Sequence, residues 1–116
     1  MTLKELINKA HTIVPKISCD EFSKNLNDYL ILDVREGTEV AETGIIPGAI
    51  NIPRGLLEMK ISPIDNDQNL NADTKIVVYC GGGSRASLAG KVLKDSGFKC
   101  VYNIDGGYRG WKEFSD

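Results

Sequence analysis

Cys80 closes the apolar run Lys75-Ile76-Val77-Val78-Tyr79 and is followed by Gly81, Gly82, Gly83, Ser84, Arg85 and Ala86. A thiol acts as a nucleophile through its thiolate, which forms where backbone N–H groups or a cation favour negative charge. Three consecutive glycines let successive amides turn toward one point through backbone angles closed to other residues. A plain connector between a strand and a helix, two to six residues long, has no reason to accept the ordering cost of such a run. Cys80 is therefore the candidate nucleophile, and Gly81 to Ala86 form a candidate anion cradle with Arg85 as a fixed positive charge near its rim. Acidifying the thiol is a weak purpose for this loop. A pKa lowered by about two units gives roughly 25-fold more thiolate at pH 7, of which falling nucleophilicity takes back nearly 8-fold. Holding a bound anion, or a more acidic sulfur species on Cys80 itself, makes better use of several converging amides.

The elements that must position this loop can be read from hydrophobic spacing. Lys75 to Tyr79, Tyr29-Leu30-Ile31-Leu32-Asp33-Val34 and Cys100-Val101-Tyr102-Asn103-Ile104 are compact runs rich in β-branched and aromatic residues, as in strands buried on both faces. Ser84 to Ser96 carries the stripe Leu88, Ala89, Val92, Leu93 and ends at Gly97, which predicts a helix. Strand, helix and strand within about 30 residues make a βαβ unit with a parallel sheet. The fold class is α/β, a central parallel sheet flanked by helices on both faces. Cys80 then lies at the carboxyl end of a strand and at a helix N-terminus, where open α/β sheets bind ligands.

Upstream, Leu3, Leu6, Ile7, Ala10 and Ile13 predict an amphipathic helix stopped by Pro15, and Ser18 with Glu21 opens a second helix over about 19–26. Ile50 to Pro53 is strand-like, Leu56, Leu57, Met59 and Lys60 suggest a short helix, and Asn66 to Thr74 reads as a surface connection. The expected organisation is a helical extension over residues 1–16 packed on a single domain over 17–116.

With 116 residues, 16 acidic against 14 basic side chains and a formal charge of −2, the chain has no basic field for nucleic acid or an anionic membrane. No run approaches a membrane span and the start lacks a signal peptide's apolar core, so a cytoplasmic location is expected. Cys19, Cys80 and Cys100 form no C-x-x-C pair, and His11 is the one histidine, which argues against a disulfide scaffold or a closed zinc site. Cys19 and Cys100 read as small apolar residues, and His11 as an exposed helix residue.

Four segments occur in order: Ile31-Leu32-Asp33-Val34-Arg35-Glu36; Gly44-Ile45-Ile46-Pro47-Gly48-Ala49-Ile50-Asn51-Ile52-Pro53; Cys80 to Arg85; and Val101-Tyr102-Asn103-Ile104-Asp105-Gly106-Gly107 followed by Trp111. With them the chain resembles the rhodanese-like sulfurtransferases, specifically their single-domain members, from about Ile17 to Trp111. The resemblance implies that Cys80 takes sulfane sulfur from a donor such as thiosulfate, becomes a persulfide, and passes the sulfur to cyanide, a thiol or a thioredoxin-like or sulfur-relay protein. It implies no metal and no organic cofactor. Gly81, Gly82, Gly83, Ser84, Arg85 and Ala86 would surround the anionic sulfur, with Arg85 orienting the donor, bracing the loop, or both.

Asp33 and Arg35 read as structural support, an ion pair or backbone bonds fixing neighbouring loops. Arg54 reads as a surface charge, Gly106-Gly107 as a turn and Trp111 as a packed aromatic. Ile45 stands where the family usually has histidine, a departure expected to act on packing. Related phosphatases and arsenate reductases place five residues between cysteine and arginine. Four intervene here, which favours sulfur over phosphate. The alternative is a rhodanese-like module that docks a partner and transfers no sulfur.

Overall fold

The computed structural model describes residues 1–61 and 70–116. Helix α1 (Leu3–Ile13) opens on Thr2, whose hydroxyl accepts the Glu5 N–H at 3.1 Å. It ends as Pro15 drives Val14 out of helical angles, to φ −106° and ψ 103°. Strand β1 (Lys16–Ile17) leads to α2 (Cys19–Lys24), where Ser18 accepts the Glu21 N–H at 3.1 Å. A 3-10 turn (Leu26–Asp28) precedes β2 (Leu30–Asp33), followed by α3 (Gly37–Thr43) and β3 (Ile50–Asn51). A second 3-10 turn (Arg54–Leu56) runs into α4 (57–61). Then come β4 (Lys75–Tyr79), α5 (Ser84–Asp95), β5 (Cys100–Ile104) and α6 (Gly107–Ser115).

The five strands form one parallel sheet in the order β1-β5-β4-β2-β3. Side chains alternate along each strand, so each strand feeds two cores. Ile76, Val78 and Cys80 join Leu32, Val34 and Val101 on the face covered by Val14 after α1, Leu57 of α4, and Ala86, Ala89 and Leu93 of α5. Val77 and Tyr79 join Ile31, Ile46 and Ile104 on the other face, packed against Phe22 of α2 and Tyr108 and Trp111 of α6. Trp111 meets Phe22 edge-on at 5.5 Å. With both faces covered, the strands read as unbroken apolar runs rather than alternating ones.

Four elements depart from the sequence expectation. Helix α3 buries no residue, so it has no apolar stripe to announce it. Strand β1 has two residues, too few for a period. The segment read as ending in a turn and a packed aromatic is helix α6, begun by Gly106 and Gly107 at positive φ. The predicted 19–26 helix breaks at Asn25 into α2 and the 3-10 turn. Of the predicted connection from Asn66 to Thr74, residues 66–69 lie outside the described residues; 70–74 contain a turn in which Asn71 Oδ1 accepts the Asp73 N–H at 2.8 Å. No helix among the described residues is long and apolar enough to cross a membrane.

Candidate active site

Cys80 follows β4 directly, and the period of two puts its side chain on the α5 face. It is 1% exposed, and its sulfur accepts the Gly83 N–H at 2.9 Å. Gly83 has φ +121°, a conformation that a side chain would strain. It caps α5, with its carbonyl accepting the Ser87 N–H at 3.0 Å.

The sequence reading sets the amides of Gly81 to Ala86 around a bound anion or an anionic persulfide sulfur rather than around the bare thiol. Gly83 is the one loop residue whose N–H bonds the sulfur. The amides of Gly81, Gly82, Ser84, Arg85 and Ala86 have no acceptor among the described residues. A bare thiol extends one bond past Cβ, and Cys80 is buried within the apolar cluster that includes Val34, Val78 and Ala86. The remaining N–H groups lie in the loop and in the first turn of α5, where a helix leaves its amides unpaired and its dipole favours negative charge.

Arg85 is committed to a carboxylate that sequence reasoning did not identify. Its Nη1 donates to Glu39 Oε1 at 2.5 Å and its Nη2 to Oε2 at 3.0 Å, a bidentate pair between α5 and α3. Glu39 Oε1 also accepts the Glu36 N–H at 3.2 Å. The Arg85 hydrogen bonds, helped by that N–H, hold the Glu39 carboxyl at about 2, below its ordinary 4.5. A carboxylate held this low stabilises the fold fully above pH 4.5 and loses that contribution as pH falls toward 2. Both side chains are more than a third exposed, so solvent screening limits the effect to about 1 kcal/mol or less. Urea midpoints at pH 7 and pH 3 should therefore differ less for Glu39→Gln than for the unmodified protein; equal pH dependence would exclude the pair as a contributor.

Arg109, on the first turn of α6, is the second feature that the sequence reading missed. Its Nη2 approaches to 3.4 Å from where a Cβ on Gly82 would sit. Its guanidinium has no carboxylate within 4.0 Å among the described residues. It lines a cleft of about 270 Å³ together with Gly81, Gly82, Arg85, Glu39 and Tyr108. The unpaired cation above the loop is thus Arg109, while Arg85 is neutralised.

Asp33 and Arg35 form a buried pair, 0% and 2% exposed, with Nη2 to Oδ2 at 2.6 Å and Nε to Oδ1 at 3.0 Å. The same guanidinium donates to Thr43 Oγ1 at 2.7 Å and Gly44 O at 2.9 Å, and lies 4.2 Å from the centre of the Tyr108 ring. Buried pairs add little net stability once desolvation is counted. Their effect here is geometric, joining β2, the end of α3 and the start of α6 around the cleft.

The start of α6 touches the loop itself. Tyr108 N–H donates to the Cys80 carbonyl at 2.7 Å, and Tyr108 Oη donates to Thr43 O at 2.8 Å. Tyr79 Oη accepts the Ile46 N–H at 3.1 Å, and its burial raises its pKa. Ile45 is exposed, so the residue standing for the family's histidine lies on the surface instead of altering the packing. His11, expected to be exposed, is half-buried, with Nδ1 2.8 Å from Ser87 Oγ. Arg54 pairs with Glu58 at 3.0 Å. Among the described residues no group of three or more His, Cys, Asp or Glu side chains is arranged to hold a metal ion.

A parallel sheet whose central strand delivers a cysteine to a glycine loop at a helix N-terminus defines an α/β protein built around one sulfur. The chain belongs to the rhodanese-like domain family, whose pattern matches residues 18–114. It is 31% identical over 102 residues to a protein named sulfurtransferase from Allochromatium vinosum, covering 85% of this chain and 89% of that one. It is 35% identical over 101 residues to YrkF of Bacillus subtilis, a candidate sulfur carrier protein, covering 84% of this chain but only 51% of YrkF's length. Among solved structures, it matches RPA3614 from Rhodopseudomonas palustris, a protein of unknown function described as a possible tyrosine phosphatase. That match has a TM-score of 0.85 and 31% identity, over 99% of this chain and 92% of the other.

Proposed function

We propose that the protein moves sulfane sulfur from thiosulfate or a similar donor to a thiophilic acceptor through a persulfide on Cys80. Membership of the rhodanese-like family and a relative named sulfurtransferase support sulfur transfer in general. The observation that carries the finer reading is the placement of the Cys80 sulfur, held by the Gly83 N–H beside a set of otherwise unpaired amides at the head of α5. The Cys80 thiolate attacks the outer sulfur of thiosulfate. A new S–S bond forms, the old one breaks, and its electron pair leaves on sulfite. The outer persulfide sulfur lies about 2 Å beyond the thiol position and carries the negative charge. That added reach brings it to the amides of Gly81, Gly82, Ser84, Arg85 and Ala86, which the bare thiol leaves unpaired.

An acceptor thiolate or cyanide then attacks the outer sulfur, and Cys80 departs as thiolate. No general base is needed in either step. Arg109 supplies the charge that receives the anionic donor, and Arg85 braces the loop through Glu39. The acceptors we envisage are cyanide, small thiols, and a thioredoxin-like or sulfur-relay protein, in a cytoplasmic setting that keeps the free thiols reduced.

A phosphatase reading is disfavoured by two features. Only four residues separate Cys80 from Arg85, and the arginine that would clamp a tetrahedral oxyanion is already bidentate on Glu39. Mass spectrometry of thiosulfate-treated protein should find one added sulfur, about 32 Da, on the Cys80 peptide, removable by cyanide. An unmodified Cys80 peptide would overturn the proposal.

A further inference from the structure

We propose that Asn103, Ser87 and His11 are positioning residues for the Cys80 loop, so that α1 holds the loop from behind although it precedes the segment matching the family. This rests on Cys80 being the sulfur-bearing nucleophile.

Asn103 lies on β5 with 0% exposure, on the face that meets α5. Its Nδ2 donates to Gly83 O at 3.0 Å and to Ser87 Oγ at 2.9 Å. Its Oδ1 is buried with no partner. The reverse amide orientation would set Oδ1 against the Gly83 carbonyl, two acceptors face to face, so the bond to Gly83 fixes the assignment. Ser87 Oγ, having accepted from Asn103, has its own hydrogen left for His11 Nδ1, 2.8 Å away. In the proposed relay His11 Nδ1 is the acceptor, with the ring proton on Nε2.

A directed chain results: Asn103 donates to Ser87, Ser87 donates to His11, and the second Asn103 hydrogen holds Gly83. An apolar residue at position 103 would avoid the desolvation cost of an orphan oxygen in an otherwise apolar strand. What asparagine secures is the Gly83 carbonyl, which also accepts the Ser87 N–H at 3.0 Å. Two donors on that carbonyl set the peptide following Gly83. Through the φ of +121° they set the direction in which the Gly83 N–H points, and that N–H is the one on the Cys80 sulfur. His11, at the far end, holds the Ser87 hydroxyl as an acceptor for Asn103, keeping the amide from turning.

The test compares unmodified protein with His11→Ala, His11→Asn, Ser87→Ala and the His11→Ala/Ser87→Ala pair. It reads Gly83 amide hydrogen exchange by NMR, and kcat and KM for thiosulfate with cyanide as acceptor. His11→Ala alters a half-buried helix residue and should fold. It is expected to speed Gly83 exchange about 3- to 10-fold, with the amides of Ile76 to Val78 unchanged, and to lower kcat by a similar factor at unchanged KM. His11→Asn, whose side-chain oxygen stands near the Nδ1 position, should restore both. The paired variant should lose no more than Ser87→Ala alone, because the residues act in series.

Unchanged Gly83 exchange in His11→Ala and Ser87→Ala, or losses that add in the pair, would overturn the inference. If the unmodified protein takes no sulfur from thiosulfate, the functional proposal fails, while Gly83 exchange still decides whether the relay holds the loop.

Discussion

Cys80→Ser is expected to lower sulfur uptake from thiosulfate by about 10³-fold or more, while the chain still folds. An alcohol is not ionised near neutral pH, so the first step loses its nucleophile and the second its leaving group. The serine oxygen can still accept the Gly83 N–H, so the cost is that of a small polar group in an apolar wall, about 1–2 kcal/mol. Neither remaining cysteine can replace it. Cys100 opens β5 opposite Lys75, five residues back along the sheet from Cys80, or about 16 Å. Cys19 opens α2, where burial and then the Asp105 charge raise its thiol pKa. The measurement is thiosulfate-to-cyanide transfer alongside a urea melt, and a folded variant retaining more than about a tenth of the rate would refute the assignment.

Gly107→Ala should cost about 2–5 kcal/mol and disable the loop in whatever fraction stays folded. Gly107 sits at φ +62°, and a Cβ there would lie 2.6 Å from the Cys80 carbonyl oxygen and 2.7 Å from that of Gly81. Both obstacles are backbone, so neither can swing aside as a side chain would. The start of α6 must instead retreat, breaking the Tyr108 N–H bond to Cys80 O and moving Arg109 off the cleft. The expected signature is a melting temperature lower by about 10–20 °C. A shift under about 3 °C would mean that the contact yields easily and that α6 does not set the loop.

How far the sequence reached depends on what each element buries. Strands β4 and β5 match their apolar runs, and α5 begins at the predicted Ser84, because both sheet faces are covered and α5 lays a full stripe on one of them. The Cys80 loop was legible for a related reason: its glycines and its cysteine are adjacent in the chain. Glu39, Arg109 and the His11–Ser87–Asn103 chain were not, since each reaches the loop through tertiary packing that spacing does not encode. Asn103 alone carried a signal, as a polar residue inside the run Cys100 to Ile104. The polar surface of α3 hid the element that supplies Glu39, and the glycine pair opening α6 read as a turn for the same conformational reason that makes it a helix start.

The outermost strands, β1 and β3, contain two residues each. An exposed strand border offers a row of open hydrogen-bonding groups on which a neighbouring molecule can build, and its danger grows with its length. Here the borders are too brief to template such growth, while the long strands, with their aggregation-prone valines and isoleucines, are sealed in the interior. The most adhesive sequence thus stands directly behind Cys80, away from the borders on which a neighbouring molecule could add a strand.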